Sequence, residues 1–120
     1  MSVKVLGVFK GAKETRELPA GTVIFEEGST GEEMFGVISG RVELRMANGH
    51  SFSIGPDDTF GEMAMVDSSP RSATAVAAED STVAVIDKHR FLFLVGETPN
   101  FALQVMASLA ERLRAAQADS

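Results

Sequence analysis

Short apolar segments separated by turn residues occupy the chain from residue 17 to residue 86. Glycine, proline and asparagine mark turns at residues 19–21, 28–31, 39–40, 48–49 and 55–58. Between the turns, the pattern predicts six β-strands, at residues 22–25, 34–38, 41–46, 51–54, 74–77 and 82–86. Many short strands with turns at this spacing are typical of a β-sandwich or a β-barrel.

A β-hairpin is predicted at Asn48-Gly49, because both residues tolerate the positive φ that a two-residue turn needs. On the strand before it, Val42, Leu44 and Met46 alternate with charged residues, which gives one buried face and one solvated face. Leu44 is therefore expected to point into the interior of the β-structure.

After residue 87 the pattern becomes helical, with a short helix at 89–95 and a longer helix that starts near Pro99 after a Thr98 cap. A four-residue step in the longer helix gives an apolar stripe of Phe101, Val105, Leu109, Leu113 and Ala116. Arg112 and its charged neighbours are expected to face elsewhere.

Length and composition indicate one domain over residues 1–120, since 44% hydrophobic residues in 120 can build a single core. The methionines are expected to fill gaps in that core, at positions Met34, Met46, Met63, Met65 and Met106. The chain has no cysteine, which excludes disulfides and thiolate metal sites and is consistent with a reducing compartment. We expect a cytoplasmic location.

Charge and hydropathy bear on possible partners. With 17 acidic and 11 basic residues the net charge is −6, so the chain as a whole repels nucleic acid and anionic lipid. The sequence shows no signal-peptide pattern and no apolar segment of membrane-spanning length. We therefore expect neither a nucleic-acid partner nor a membrane.

The segment from residue 60 to residue 77 carries the chemistry of a candidate anion site. Gly61 allows a backbone conformation and a close ligand approach that other residues prevent. Arg71 offers a planar fork of donors that matches two phosphate oxygens, and Ser72 adds a hydroxyl or an amide donor. Because Glu62 would repel a phosphate, a ribose hydroxyl is its natural partner. The combination indicates a nucleotide.

This segment resembles the phosphate-binding cassette of the cyclic nucleotide-binding domain family, and we call residues 60–77 the cassette. The matching positions are Phe60, Gly61, Glu62, Met63, Ala64, Met65, Val66, Pro70, Arg71, Ala73, Thr74 and Ala77. A second similar stretch, with glycines at the expected turns, lies at residues 28–42. The resemblance extends over residues 17–114 and is more specific than a lone glycine motif.

The resemblance implies a mainly β fold with flanking helices. The implied β-part is an eight-stranded antiparallel jelly-roll barrel at about residues 17–87, with a short helix in the cassette and two C-terminal helices at about 88–117. It implies a sensor that binds a 3',5'-cyclic nucleotide, with cyclic AMP favoured over cyclic GMP, without a cofactor and without enzymatic activity.

In the family, the residue that matches Glu62 accepts a hydrogen bond from the ribose 2'-hydroxyl. The residue that matches Arg71 binds the exocyclic phosphate oxygens, and the amides that match Gly61, Ala64 and Ser72 complete the cradle. The implied ligand-binding set is Gly61, Glu62, Met63, Ala64, Arg71, Ser72 and Ala73, with Val42 and Leu44 as candidates for contact with the base. Ordinary core packing explains Val42 and Leu44 equally well.

In that family the last helix closes over the base and, in many members, forms a dimer contact. The resemblance therefore implies a separate protein effector and a possible homodimer. Alternatively, the apolar stripe packs on the β-structure. Glu62 and Arg71 could also form a structural ion pair, and the module could be a degenerate barrel that binds proteins without a ligand.

His50 and His89 are too few and too far apart to indicate a metal site, although a haem sensor built on the same fold stays an open alternative. No catalytic triad is visible in the sequence.

Overall fold

Two four-stranded antiparallel sheets and two C-terminal helices form the framework of this computed structural model, which describes residues 7–9, 11–67 and 69–118. The strands are β1 Thr15–Leu18, β2 Val23–Phe25, β3 Met34–Ser39, β4 Val42–Arg45, β5 Ser51–Ile54, β6 Thr59–Phe60, β7 Thr74–Ala77 and β8 Ser81–Ile86. One sheet has the order β1-β8-β3-β6 and the other β2-β7-β4-β5. Among the described strands, no pairing joins the two sheets, so the fold is two facing sheets rather than a barrel closed by hydrogen bonds.

The six strands predicted from the sequence all form, with boundaries shifted by at most one residue. The pattern missed β1, because three of its four residues are exposed, and β6, because two residues are too short to show a period.

The predicted hairpin joins β4 to β5 and pairs Val42 with Ile54 and Leu44 with Phe52. Its loop is wider than expected, since Met46 and His50 close it through a 2.9 Å bond from the Met46 amide to the His50 carbonyl. Gly49 has a φ of 91°, whereas Asn48 does not adopt a positive φ. The prediction of a two-residue turn is therefore wrong, whereas the prediction that β4 and β5 are neighbouring strands is confirmed.

The two faces of the β1-β8-β3-β6 sheet contact different cores. Phe35 and Val37 of β3 point inward to the core between the sheets, together with Val42 and Leu44 of the opposite sheet. Met34 points outward to a second core that includes residues of both helices. The central strands β3 and β8 are therefore buried on both sides, which explains their continuous apolar sequences.

Phe9 fixes the described N-terminal segment between this sheet and the last helix. Its side chain is 2% exposed, and its ring contacts Phe101 edge-on with centroids 5.8 Å apart. A Cβ at Gly36 would lie 2.5 Å from the Phe9 ring, so the close approach requires glycine at that position.

The helices are α1 Lys88–Glu97 and α2 Asn100–Ala118. Asp87 caps α1 by accepting from the Arg90 amide at 2.7 Å. At the start of α2, Thr98 contributes its backbone carbonyl, which accepts from the Phe101 amide at 2.9 Å. Neither helix is long and apolar enough, within the described residues, to cross a membrane.

The apolar stripe predicted for α2 is correct at its start and wrong at its end. Phe101 and Val105 are buried and Leu109 packs against the same core, but Leu113 is 60% exposed. Successive steps of four residues rotate by about 40° on an α-helix, so Leu113 lies about 120° from Phe101 around the axis. Met106 is also exposed rather than in the core.

Candidate functional site

Gly61 begins the cassette in a left-handed conformation, with φ 78° and ψ 13°. The 3₁₀ helix Glu62–Met65 follows it, at the place where the resemblance implied a short helix. The Ala64 amide donates to the Gly61 carbonyl at 3.2 Å. One of the three amides expected to face a ligand is therefore already bonded within the cassette.

The Arg71 side chain lies folded against the protein rather than in solvent. Its Nη1 donates to the Gly61 carbonyl at 3.1 Å, and its Nη2 donates to the Glu33 carbonyl at 2.7 Å. The guanidinium carbon lies 4.3 Å from the centroid of the Phe25 ring, close enough for a cation–π contact. These three contacts place the guanidinium beside the start of the 3₁₀ helix.

Two glycines make room for that guanidinium. A Cβ at Gly31 would lie 2.5 Å from Nη2 of Arg71, and a Cβ at Gly61 would lie 3.0 Å from Nη1. Main-chain bonds fix Arg71 next to the same loop, since its amide donates to the Ser29 carbonyl at 2.7 Å. One glycine from each sequence signature, Gly31 and Gly61, thus lies against the same arginine.

Arg71 is incompletely satisfied in this position. Its Nε is buried and has no hydrogen-bond partner. Burial lowers the pKa of the guanidinium, and the nearby charges of Glu33 and Glu62 oppose that shift. An anion at this point would therefore be stabilised by a partly dehydrated cation and an open donor.

Glu62 is buried, with 3% of its surface exposed. Arg112 of α2 donates from Nη1 to Oε1 of Glu62 and from Nη2 to the Thr59 carbonyl. Oε2 of Glu62 is buried without a partner. Burial raises the pKa of this carboxyl, while Arg112 acts in the opposite direction.

Arg112 was missed by the sequence analysis, which placed it on an outer face of the helix. Its partner is 50 residues away in sequence, and helical periodicity does not show which polar side chains fold back onto a neighbouring element. The Glu62–Arg71 ion pair considered from sequence does not form, because Arg71 bonds to backbone carbonyls and Glu62 to Arg112.

The remaining predicted site residues divide between surface and core. Met63 and Ser72 are exposed, whereas Ala73, Val42 and Leu44 are buried in the core between the sheets. The structure thus places Val42 and Leu44 in the packing role that the sequence left open.

A hollow of about 460 Å³ lies between the cassette and the β4–β5 hairpin. Its lining consists of Glu27, Gly28, Met46, Ala47, Asn48, Arg71 and Ser72. Glu27 holds the hairpin in place by accepting from the Ala47 amide at 3.0 Å. No local sequence pattern indicates that the hairpin approaches Arg71 and Ser72.

Among the described residues, no group of three or more histidine and acidic side chains is arranged to hold a metal ion. The site contains two buried polar atoms without partners, Nε of the Arg71 cation and Oε2 of the Glu62 carboxyl.

The chain matches known proteins over most of its length. The model of the cyclic nucleotide-binding domain family matches residues 15–98. The cyclic AMP receptor protein of Thermus thermophilus is 36% identical over 108 residues, which cover 86% of this chain and 50% of the relative. A cyclic nucleotide-gated potassium channel of Rhizobium etli is 34% identical over 101 residues, or 84% of this chain and 28% of the channel. The chain thus spans half or less of the length of these relatives.

Solved structures show the same similarity. The Thermus thermophilus catabolite activator protein aligns with a TM-score of 0.71 and 33% identity, over 93% of this chain and 60% of that one. A structure described under a cyclic-GMP-dependent signalling pathway of bacterial phytopathogenesis aligns with a TM-score of 0.70 and 29% identity, over 83% of both chains. Sequence, fold and the composition of the cassette agree, and the chain belongs to the cyclic nucleotide-binding domain family.

Proposed function

We propose that this chain is a sensor module that binds a 3',5'-cyclic nucleotide, with cyclic AMP favoured over cyclic GMP, and that it acts by binding rather than by catalysis. The observation that carries the proposal is a pair of buried atoms without partners, Oε2 of Glu62 and Nε of Arg71. One is an acceptor and the other a cationic donor, as a ribose hydroxyl and a neighbouring phosphate require.

In the proposed complex, Oε2 of Glu62 accepts from the ribose 2'-hydroxyl and Arg71 binds the exocyclic phosphate. The amides of Gly61 and Ser72 add donors, while the Ala64 amide contributes if its 3.2 Å bond to Gly61 opens. Met63 and Ala73 flank the ligand, while Val42 and Leu44 support the site from the core without contacting the base. The two sheets together form the jelly roll that encloses it.

Ligand binding is proposed to act through α2, whose Arg112 already contacts Glu62. The ligand favours the state in which α2 is docked, and a separate protein effector detects that state. The energy available is the difference in ligand affinity between the two states, commonly about 1 to 3 kcal/mol. We propose that this occurs in the cytoplasm, without nucleic acid or membrane contact by this module.

A second copy of the chain is a proposed partner through α2. Leu103, Met106 and Leu113 are each at least half exposed and fall at spacings of three and seven residues. Such spacing forms the seam of a two-stranded coiled coil.

A different function, a protein-binding module without a ligand, is favoured by one observation. Arg71 already donates to two backbone carbonyls, so the protein itself satisfies part of its hydrogen-bonding capacity.

Calorimetry with cyclic AMP, cyclic GMP and AMP separates the two functions. Saturable binding of a cyclic nucleotide, tighter for cyclic AMP and weak for AMP, supports the sensor. If none of the three produces heat at millimolar concentration, the sensor proposal is wrong and the protein-binding function stands.

A further inference from the structure

Three polar side chains of α2, spaced four residues apart, contact three consecutive residues of the turn that leads into the cassette. The pairs, which we call the polar ladder, are Gln104 with the Asp57 carbonyl, Ser108 with the Asp58 carboxylate, and Arg112 with the Thr59 carbonyl. Residues four apart share one face of an α-helix, so the ladder is a continuous stripe.

The ladder lies inside the protein. Gln104 is 1% exposed, Ser108 is 7% exposed and Thr59 is fully buried. Buried polar groups are tolerated when they are hydrogen-bonded and are costly when they are not. A slip of α2 by one turn would separate all three pairs together, so the ladder defines one register for the helix.

The turn that receives the ladder is fixed on its other side to β3. The Asp57 amide donates to the Val37 carbonyl at 2.8 Å, and the Val37 amide donates to the Asp58 carbonyl at 2.9 Å. The Thr59 amide donates to the Asp58 carboxylate at 2.9 Å. Since the turn is anchored to the sheet, its contacts position α2 relative to the cassette that follows.

We propose that Gln104 and Ser108 are positioning residues for the ribose subsite. They hold α2 in the register that places Arg112 on Oε1 of Glu62, which orients the carboxylate and leaves Oε2 for the hydroxyl of the ligand. This inference rests on the proposed function, because it concerns how the same site selects a ribose. It also makes ligand affinity depend on two side chains outside the cassette.

The test compares Ser108→Ala and Gln104→Leu with Glu111→Gln, an exposed polar position on the same helix. Calorimetry is performed with cyclic AMP and with its 2'-deoxy analogue. We expect each ladder variant to weaken cyclic AMP binding by about tenfold with little change for the 2'-deoxy analogue, because a smaller fraction of molecules holds Glu62 in the competent orientation. The Glu111→Gln control should match the wild type.

A purely structural role predicts a different result. If the ladder variants weaken both ligands equally, or weaken neither, the positioning role is wrong. In an Arg112→Ala background, Ser108→Ala should cause no further loss of ribose selectivity, since the proposed effect passes through Arg112. A second, additive loss would contradict that route.

Hydrogen exchange of the ligand-free protein tests the ladder without any nucleotide. Amides at 109–117 should exchange faster in Ser108→Ala than in the wild type or in Glu111→Gln. Unchanged exchange would overturn the register role. A wild type that binds no cyclic nucleotide would instead refute the proposed function, so the two failures are distinguishable.

Discussion

Arg112 and Glu62 are 50 residues apart in sequence and form a buried ion pair between α2 and the cassette. Their side chains are 17% and 4% exposed. The pair connects the residue proposed to recognise a ribose to the helix proposed to transmit the signal. One oxygen of Glu62 stays without a partner, so the ion pair uses only one of the two carboxylate oxygens.

Removal of Arg112 should destabilise the fold more than removal of the whole pair. Arg112→Ala leaves Glu62 buried without its cation, and breaking a buried pair in this way costs about 3–5 kcal/mol. The double variant Glu62→Gln with Arg112→Met should recover part of that loss. Chemical denaturation measures both, and a double variant no more stable than Arg112→Ala would contradict the reasoning.

Arg71→Ala should abolish most nucleotide affinity while the protein stays folded. A hydrogen bond to a charged group contributes about 1.5–3 kcal/mol, so the expected loss is at least about 10- to 100-fold. Arg71→Lys keeps the charge without the planar fork, so its nucleotide affinity should lie between those of the wild type and Arg71→Ala. Calorimetry with circular dichroism as the folding control provides the measurement, and an unchanged dissociation constant would remove Arg71 from the site.

Gly31→Ala should lower ligand affinity strongly and the free energy of unfolding only slightly. Its Cβ would lie 2.5 Å from Nη2 of Arg71, the mobile end of a side chain, so the guanidinium would shift away. Gly61→Ala should also lower stability by about 1–2 kcal/mol, because Gly61 has a φ of 78°.

Gly96→Ala is the matched control for both glycine variants. Gly96 lies in α1 with no atom near its added Cβ, so alanine there should stabilise the protein by about 0.5–1 kcal/mol. Thermal melts of the three variants measure the effect on stability, and nucleotide titrations measure the effect on affinity. Normal nucleotide affinity in Gly31→Ala would refute the steric argument.

The charge of Glu62 should make stability depend on pH in an unusual direction. Burial raises its folded-state pKa above the ordinary value of 4.5, against Arg112 and with a small contribution from Asp58. The folded state therefore holds its proton to higher pH than the unfolded chain does. The stabilisation is complete below pH 4.5 and is lost as pH rises through the folded pKa.

Glu62→Gln removes this titration. The free energy of unfolding of the wild type minus that of the variant should therefore fall as pH rises above 4.5, since other groups contribute equally to both proteins. Urea denaturation at a series of pH values measures the difference. A difference that grows with pH would show that Arg112 outweighs the effect of burial.

Met106→Glu should weaken self-association if α2 forms a dimer. Met106 is 56% exposed on the stripe that it shares with Leu103 and Leu113, and a glutamate there would place two like charges in the seam. Sedimentation velocity against the wild type provides the measurement, with Glu111→Gln as the control on another face. A wild type that is monomeric at high concentration would exclude this contact.

Local patterns in the sequence were sufficient for much of the fold and indicated the candidate site. Strand alternation placed Val42 and Leu44 on an inward face, and the glycine and arginine residues of the cassette indicated an anion site. These features depend on residues close together in the chain, whose steric and hydrogen-bonding preferences produce a detectable sequence pattern.

The tertiary structure decided which distant groups meet. It placed Arg112 on Glu62, Phe9 against Gly36, and the backbone carbonyls of Gly61 and Glu33 around Arg71. None of these contacts has a local signature, because each depends on how the helices and loops pack against the sheets. By itself, the sequence determined six of the eight described strands, the two helices and the chemical character of the cassette. The partners of its two charged residues were decided by packing, which brings together groups that no sequence period relates.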